Sequence, residues 1–403
     1  MTRFAKSESP RVMIIAGGEW QVPLIRKAKA MGCYVINSNL YPDSPGFKFA
    51  DVGLVANVLD KEKNLAFARE HQPDAVITDQ SDIAVPTVAY ICEELGLPGI
   101  GVDMAHLFTN KYAMRSFLAE HGFPCPAYRL CGTLEEAMDF AHETGLPLIL
   151  KPPQNQSSRG VLKVTAQDEL PAAFAHARSH SHSGAVLVEQ FIGGVEHTVE
   201  GYKSPKGCDT LAISRKNHYA HNPMVASRLL YSWEDADADY DELGQLNARL
   251  VESMGLPFGI THAEYKSFEG QFYLVEIAAR GGGTKLSSHM IPLMSGVDAN
   301  ELLILHALGE TPPLPVPEKR IIYAALDFLV FADGHVAAID GAEDVLAHPN
   351  VIDFQLGVRP GDTVRPAADD RSRHGHIIAH AETRESLLSM LAELSALVRV
   401  TYA

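Results

Sequence analysis

Apolar positions follow two rhythms along this chain. Short unbroken runs alternate with stretches in which apolar residues recur every three or four positions. The first run, Arg11-Val-Met-Ile-Ile-Ala16, ends at Gly17-Gly18 and reads as a strand buried on both faces. A helical pattern follows, with Val22, Ile25, Ala28 and Lys29 on one side and Gly32 at its end. Cys33–Asn37 reads as a second strand. The helix Glu62–His71 and the strand Asp74–Thr78 form a third unit, and the helix Ala84–Leu95 with Gly96–Ile100 a fourth. Such alternation predicts an open parallel sheet, whose strand C-termini are where ligands bind. The Gly17-Gly18 turn stands there and reads either as a tight turn or as part of a small-molecule pocket.

Beyond Asn110 the rhythm changes. Asn110–Gly122 is helical in pattern, and Pro124 and Pro126 mark a linker. Thr133-Leu-Glu-Glu136 predicts a capping box at a helix start. The runs Leu148–Lys151 and Ala185–Ile192 belong to a small strand-rich unit. Leu243, Leu246, Leu250, Val251 and Met254 recur at helical spacing up to Gly255. Two strands, Gly259–Phe268 and Gln271–Ile277, meet at Glu269-Gly270, which suits a tight hairpin. Thr311–Pro317 reads as a linker, and the tail alternates strands with a helix carrying Leu387, Leu391, Leu394 and Val398. Lys216–His221 reads as a loop, and the acidic run Glu234–Asp241 as a solvated loop or helix start.

Charge narrows the function. The 403 residues carry a net charge of −16, which argues against nonspecific nucleic-acid or anionic-membrane binding. A polyanion would have to be held by a few placed cations and a metal. Five cysteines at 33, 92, 125, 131 and 208 form no CxxC pair, so a reducing compartment is expected. A polar N-terminus and the lack of a long apolar stretch lead us to expect a cytoplasmic chain with no membrane partner.

Candidate chemistry concentrates in the hairpin. Glu264 and Glu276 sit on adjacent strands, where they can share a face. Two such carboxylates suit Mg²⁺ when phosphate and water complete its shell, and otherwise they are outer-face residues in water. Arg280 lies four residues on, with a fork suited to phosphate or carboxylate, and Gly281-Gly282-Gly283 permits close approach of a ligand. Lys151 ends a buried strand before a proline, and Lys111 begins a helix; each could reach a phosphate or be an ordinary surface lysine. Ser157, Ser158, Arg159 and Gly160 form a polar turn whose backbone N–H groups suit phosphate oxygens. His262 reads as substrate-facing or structural, and His289, after the glycine run, could line an acceptor pocket. No HxH or HExxH pattern calls for zinc.

The order of these features carries the most information: a GG turn, Lys111, Lys151 with a small-residue loop, Glu189-x-x-Ile-x-Gly-x-Glu196, Glu264, then Glu276-x-x-x-Arg280. This resembles the ATP-grasp superfamily over nearly the whole chain, and Glu276-x-Ala-x-Arg280-x-Gly-Gly most resembles its L-amino-acid ligase branch. The resemblance implies an α/β architecture of the α+β ATP-grasp type. Residues 1–110 would form a pre-ATP-grasp domain, 111–130 a linker helix, 131–200 a mobile lid, 201–317 the core with metal and substrate site, and 318–403 a small C-terminal subdomain. It further implies that Lys111, Lys151 and Ser158 contact ATP phosphates. Glu189, Gln190 and Ile192 would form the hinge holding adenine, and Glu196 would hold the ribose. Glu264 and Glu276 would ligate Mg²⁺ (or Mn²⁺). Arg280 and Lys151 would serve catalysis, and Gly282, Gly283, His262 and His289 would face substrate. Ala278 stands where many members carry asparagine, one oxygen ligand fewer for the metal.

The implied activity is an ADP-forming carboxylate–amine ligation of amino acids through an acyl phosphate, with small-molecule substrates and a homodimer as expected partners. Two other readings are a purine-pathway ligase or carboxylase-type subunit, and a nicotinamide-dependent oxidoreductase on the N-terminal sheet. The first predicts extra basic residues near the GG turn. The second predicts GxGxxG, and Gly17-Gly18-Glu-Trp-Gln21 lacks the third glycine.

Overall fold

A computed structural model describes residues 9–154, 159–313, 315–320 and 322–403. Four sheets organise these residues. The first holds β1 (Arg11–Ile15), β2 (Tyr34–Asn39), β3 (Val52–Val55) and β4 (Ala75–Ile77) in the order β3-β2-β1-β4, all parallel. Its run of buried apolar residues, Val12 through Ile15, is what a strand covered on both faces requires. Helices α1 (Val22–Ala30), α2 (Lys61–His71) and α3 (Val85–Leu95) flank it. The sequence reading missed β3, a four-residue edge strand whose two half-buried positions are too few to set up an alternation. It also ended the fourth unit in Gly96–Ile100, which is not a strand; the chain runs instead into α4 (Val102–Thr109). Lys29, expected on the apolar side of α1, lies outside and pairs with Asp51.

Asn110 then caps α5 (Lys111–Glu120), accepting from the N–H groups of Tyr112 and Ala113. The second sheet is antiparallel, ordered β5-β8-β6-β7, with β5 (Tyr128–Cys131), β6 (Leu148–Lys151), β7 (Leu162–Val164) and β8 (Val186–Gln190). Its helix α6 (Leu134–Thr144) starts with the expected capping box of Thr133 and Glu136.

The third sheet has eight antiparallel strands and crosses the middle of the chain. It holds β9 (Val195–Ser204), β10 (Gly207–Tyr219), β11 (Asn222–Tyr231), β12 (Gly259–Phe268), β13 (Gln271–Ala278) and β14 (Tyr323–Phe328). From the tail come β16 (Val351–Leu356) and β18 (Gly375–Ala381). The order is β13-β12-β9-β10-β11-β14-β18-β16, so three strands beyond residue 317 extend the central sheet. The small fourth sheet joins β15 (Gly334–Asp340), β17 (Thr363–Val364) and β19 (Arg399–Tyr402). Lys216–Tyr219, expected in a loop, lies on β10.

Alternation along β9, β10, β12 and β13 separates core from chemistry. Val199, Ile213, Ala263, Tyr265 and Ile277 face the helix Tyr240–Met254 and bury a core with its Leu243, Leu250 and Val251. The opposite face carries the charged residues. A separate core, built from Leu24 and Ile25 of α1 with Ile260, Leu303 and Ile304, seats the parallel sheet against the central one. That contact brings the loop after β4 to the end of β13. Among the described residues no helix is long and apolar enough to cross a membrane.

Candidate active site

The hairpin of β12 and β13 turns at Glu269 and Gly270, both with positive φ (50° and 76°), the primed turn that matches strand twist. Its register sets Glu264 directly opposite Glu276. A bulge follows, since Tyr265 pairs with Leu274 and leaves Val275 over. The freed Val275 carbonyl accepts from Arg115 Nη2 at 2.8 Å. The two carboxylates therefore share one face at the mouth of a cleft lined by both antiparallel sheets.

Lysines balance the carboxylates of this cleft. Lys111 Nζ stands 2.7 Å from Glu276 Oε2. Lys216 Nζ bridges Glu264 Oε1 at 2.7 Å and Glu196 Oε1 at 2.6 Å. The bridge follows from register: Glu196 is paired with Lys216 on one neighbouring strand and with Lys266 on the other. Burial would raise the Glu264 carboxyl, but Lys216 and His262 overcome it and hold the group at about 2. Lys151 Nζ lies 2.7 Å from Glu189 Oε2, and Arg115 Nε lies 2.7 Å from the other oxygen. Lys151 is almost fully buried, and burial, aided by Arg115, outweighs Glu189 and brings the ammonium down to about 8.

A second pocket adjoins the first beyond the carboxylates. It is lined by Trp20, Asp82, His262, Arg280, Phe328 and Arg373, among others. Arg280 is gripped in two-point fashion by Asp82, Nε to Oδ1 at 2.8 Å and Nη2 to Oδ2 at 2.6 Å. The adjacent Gly281 N–H donates to the buried Asp79 at 3.0 Å, and Gln80 accepts from Lys285 N–H at 2.7 Å. The loop after β4 thus fixes the glycine run. Gly282 sits against His262, where an added Cβ would lie 2.8 Å from Nδ1. Glu200, fully buried, receives His262 Nδ1 at 2.8 Å. Burial opposes a charge on His262, yet Glu200 and Glu264 win and lift it to about 9, so the ring is protonated at neutral pH.

The structure brings Lys111, Lys151, Glu189, Gln190, Ile192, Glu196, Glu264 and Glu276 to one cleft. Arg280, His262 and Gly283 line the adjoining pocket, and Gly282 packs behind it. Two expectations change. The Glu189 carboxylate lines the cleft already paired with Lys151 and Arg115, so it is not the unpaired group expected of an adenine contact. His289 lines neither pocket; it lies near Lys285, Asp353 and His376, at the junction with the tail. Ser158 lies outside the described residues. Sequence reasoning missed Arg115, Lys216, Asp82, Trp20 and Asp370. Arg115 left a trace, since it shares the buried face of α5 with Met114 and Leu118. Lys216 left one too, because polar residues at 214, 216 and 218 continue the alternation of β10.

Two facing carboxylates are a thin donor set for a metal. Among the described residues, no group of three His, Cys, Asp or Glu could hold an ion by itself. A hard divalent cation that completes its shell with phosphate oxygens and water fits this pair, and a metal requiring an all-protein cage does not. Lysines already stand where phosphate charge would need balancing.

Comparison with known proteins agrees with this geometry. Residues 144–288 match the model of the ATP-grasp domain, and residues 327–403 that of the L-amino acid ligase C-terminal domain 2. An uncharacterised protein of Sinorhizobium fredii is 29% identical over 316 residues, covering 77% of this chain; the match spans about two thirds (65%) of that protein's length. A formate-dependent phosphoribosylglycinamide formyltransferase of Prochlorococcus marinus is 25% identical over 402 residues, 97% of each chain. The crystal structure of L-amino acid ligase from Bacillus licheniformis superposes with a TM-score of 0.83 at 21% identity, covering 98% of this chain and 99% of that one, a likeness of fold.

Proposed function

The chain belongs to the ATP-grasp superfamily, and from that premise we propose that it is an ADP-forming ligase that joins a carboxylate to an amine, with amino acids as substrates. One observation carries the reading: facing Glu264 and Glu276, with Lys111, Lys151 and Lys216 around them, stand between a nucleotide-sized cleft and a second pocket containing Arg280.

Lys111 and Lys151 bind the ATP phosphates, and Lys216 balances charge between the ribose-side Glu196 and Glu264. Glu264 and Glu276 hold Mg²⁺, which when bound neutralises phosphate charge. A substrate carboxylate oxygen attacks the γ-phosphorus, and the bond to the bridging oxygen breaks with its electrons leaving on ADP. Arg280 steadies the transferred group, aligned by Asp82. An amine then attacks the acyl carbon and phosphate departs. Phosphoryl transfer of this kind depends on alignment and charge more than on covalent help.

The likeness to a formyltransferase over the full length favours a second reading, in which the amine partner carries a phosphate. Against it, the arginines lining the second pocket are each matched by a carboxylate, Arg280 by Asp82 and Arg373 by Asp370. The test is phosphate release from ATP and Mg²⁺ across single amino acids and amino-acid pairs, with formate plus phosphoribosylglycinamide as one further pair. ADP and phosphate should appear only when both a carboxylate and an amine are supplied. AMP and pyrophosphate overturn the mechanism, and turnover with the formate pair alone moves the chain to the second reading.

A further inference from the structure

The nucleotide cleft and the second pocket share five lining residues: Lys216, Met224, Glu264, Glu276 and Asp370. The acyl group must pass through this junction. Glu264 and Glu276 are committed to the metal in the reading above, Lys216 is a cation and Met224 is apolar. Asp82, the other carboxylate of the second pocket, has both oxygens bound by Arg280. Asp370 differs. Arg373 Nη2 approaches its Oδ1 at 2.6 Å, and the carboxylate has further lone pairs to offer.

Asp370 is firmly placed although it comes from the tail. Asp369 accepts from the N–H groups of Arg371 and Ser372, closing a short turn. The carbonyls of Ala367 and Ala368 meet His221 Nε2 and Asn222 Nδ2, each at 3.1 Å, at the turn between β10 and β11. Arg373 Nε donates to the Ala226 carbonyl at 3.1 Å, and its guanidinium lies 3.7 Å over the Phe328 ring. Such tethers carry one carboxylate to the reaction centre from outside the matched ATP-grasp domain.

We propose that Asp370 is a catalytic residue: it binds the ammonium of the incoming amine and accepts its first proton. The proposal rests on the ligase reading and names the residue its second half requires. An ammonium has no lone pair and must lose a proton before attack. In this step Asp370 takes that proton, and the amine nitrogen forms the bond to the acyl carbon. The bond from that carbon to the phosphate oxygen breaks, its electron pair leaving with phosphate. The second nitrogen proton passes to the departing phosphate. Burial raises the Asp370 carboxyl above its ordinary range, with Arg373 and Lys216 opposing the rise and the charges of Glu264 and Glu276 adding to it, which suits a group that accepts a proton from nitrogen.

Hydroxylamine separates this role from a structural one. It is neutral at neutral pH and attacks acyl phosphates without first losing a proton. Asp370→Asn should lower amide formation from an amino-acid acceptor by about 100-fold or more, and hydroxamate formation by no more than about threefold. Asp370→Glu should restore part of the amide rate. The melting-temperature rise given by ATP with Mg²⁺ should survive in both variants. Equal losses with both nucleophiles, or no loss with either, overturn the proposal. A wild-type enzyme that forms no hydroxamate from any carboxylate overturns the ligase reading instead.

Discussion

The two pockets that meet at Glu264 and Glu276 are built on different principles. In the cleft lined by both antiparallel sheets, charged residues face each other across neighbouring strands of one sheet. Glu196 lies between Lys216 and Lys266 by register alone, and Glu264 opposes Glu276 on a single hairpin. In the second pocket, the charges arrive on segments far apart in sequence. Arg280 of the central sheet is held by Asp82, 198 residues away, and Arg373 of the tail leans on Phe328 beside Asp370. A ladder fixes its charges as soon as strands pair. A pocket walled by loops of the N-terminal sheet, the central sheet and a loop of the tail acquires its charges only when those parts dock, so sequence change can re-shape it without disturbing the ladder. On the proposed reading, phosphate chemistry belongs to the first and substrate choice to the second.

The largest effect should come from the ladder. Glu276→Gln leaves the hairpin paired and removes the charge that a divalent cation and Lys111 both need. Turnover should fall by about 1,000-fold, while melting temperature stays within a few degrees. Hydroxamate formation and amide formation should fall together, because both follow phosphoryl transfer. Loss of amide formation alone would place Glu276 with the substrate pocket and break the comparison.

Arg280→Lys tests the other construction. An ammonium cannot reproduce the two-point grip on Asp82 or on a phosphoryl group, so a loss of about 100-fold in kcat/KM is expected. The loss should vary with the carboxylate supplied, unlike that of Glu276→Gln. A uniform loss across carboxylates would make Arg280 part of the phosphate machinery only.

The same contrast explains what could be read from the chain. The hairpin was legible because its chemistry is local: period-two alternation, Glu269-Gly270 between the strands, and glutamates whose register the turn determines. Lys151 was legible at the end of β6, but its partners were not, since Glu189 lies on another strand and Arg115 on a helix. Lys216 was hidden because a charged ladder face carries the polar residues that otherwise mark a loop. Asp82 and Asp370 gave no signal at all, as nothing near them in sequence shows which sheet they will meet. His289 illustrates the reverse error. It follows the glycine run by a few residues, yet the turn through Thr284 and Lys285, both at positive φ, carries it to the junction with Asp353 and His376.

The smallest effect concerns Lys151, and it probes the ladder side by protons rather than by mutation. Burial holds this ammonium at about 8, below its usual 10.5, with Arg115 opposing its charge and Glu189 favouring it. ATP brings further negative charge and should raise the lysine toward its ordinary value. In the free protein Lys151 therefore loses its proton above pH 8, while in the complex it keeps it. Binding should take up a proton in that window and none at pH 7 on this account. By linkage, ATP affinity should weaken by about tenfold between pH 8 and about pH 9.5. ATP has no ionisation of its own in this range, so titration calorimetry in buffers of different ionisation enthalpy reads the uptake directly. Lys151→Arg keeps its charge throughout, and its affinity should stay flat over the same range. A wild-type affinity that does not change above pH 8 would mean that ATP leaves the Lys151–Glu189 contact untouched, and that the phosphates rest on Lys111 and Lys216 instead.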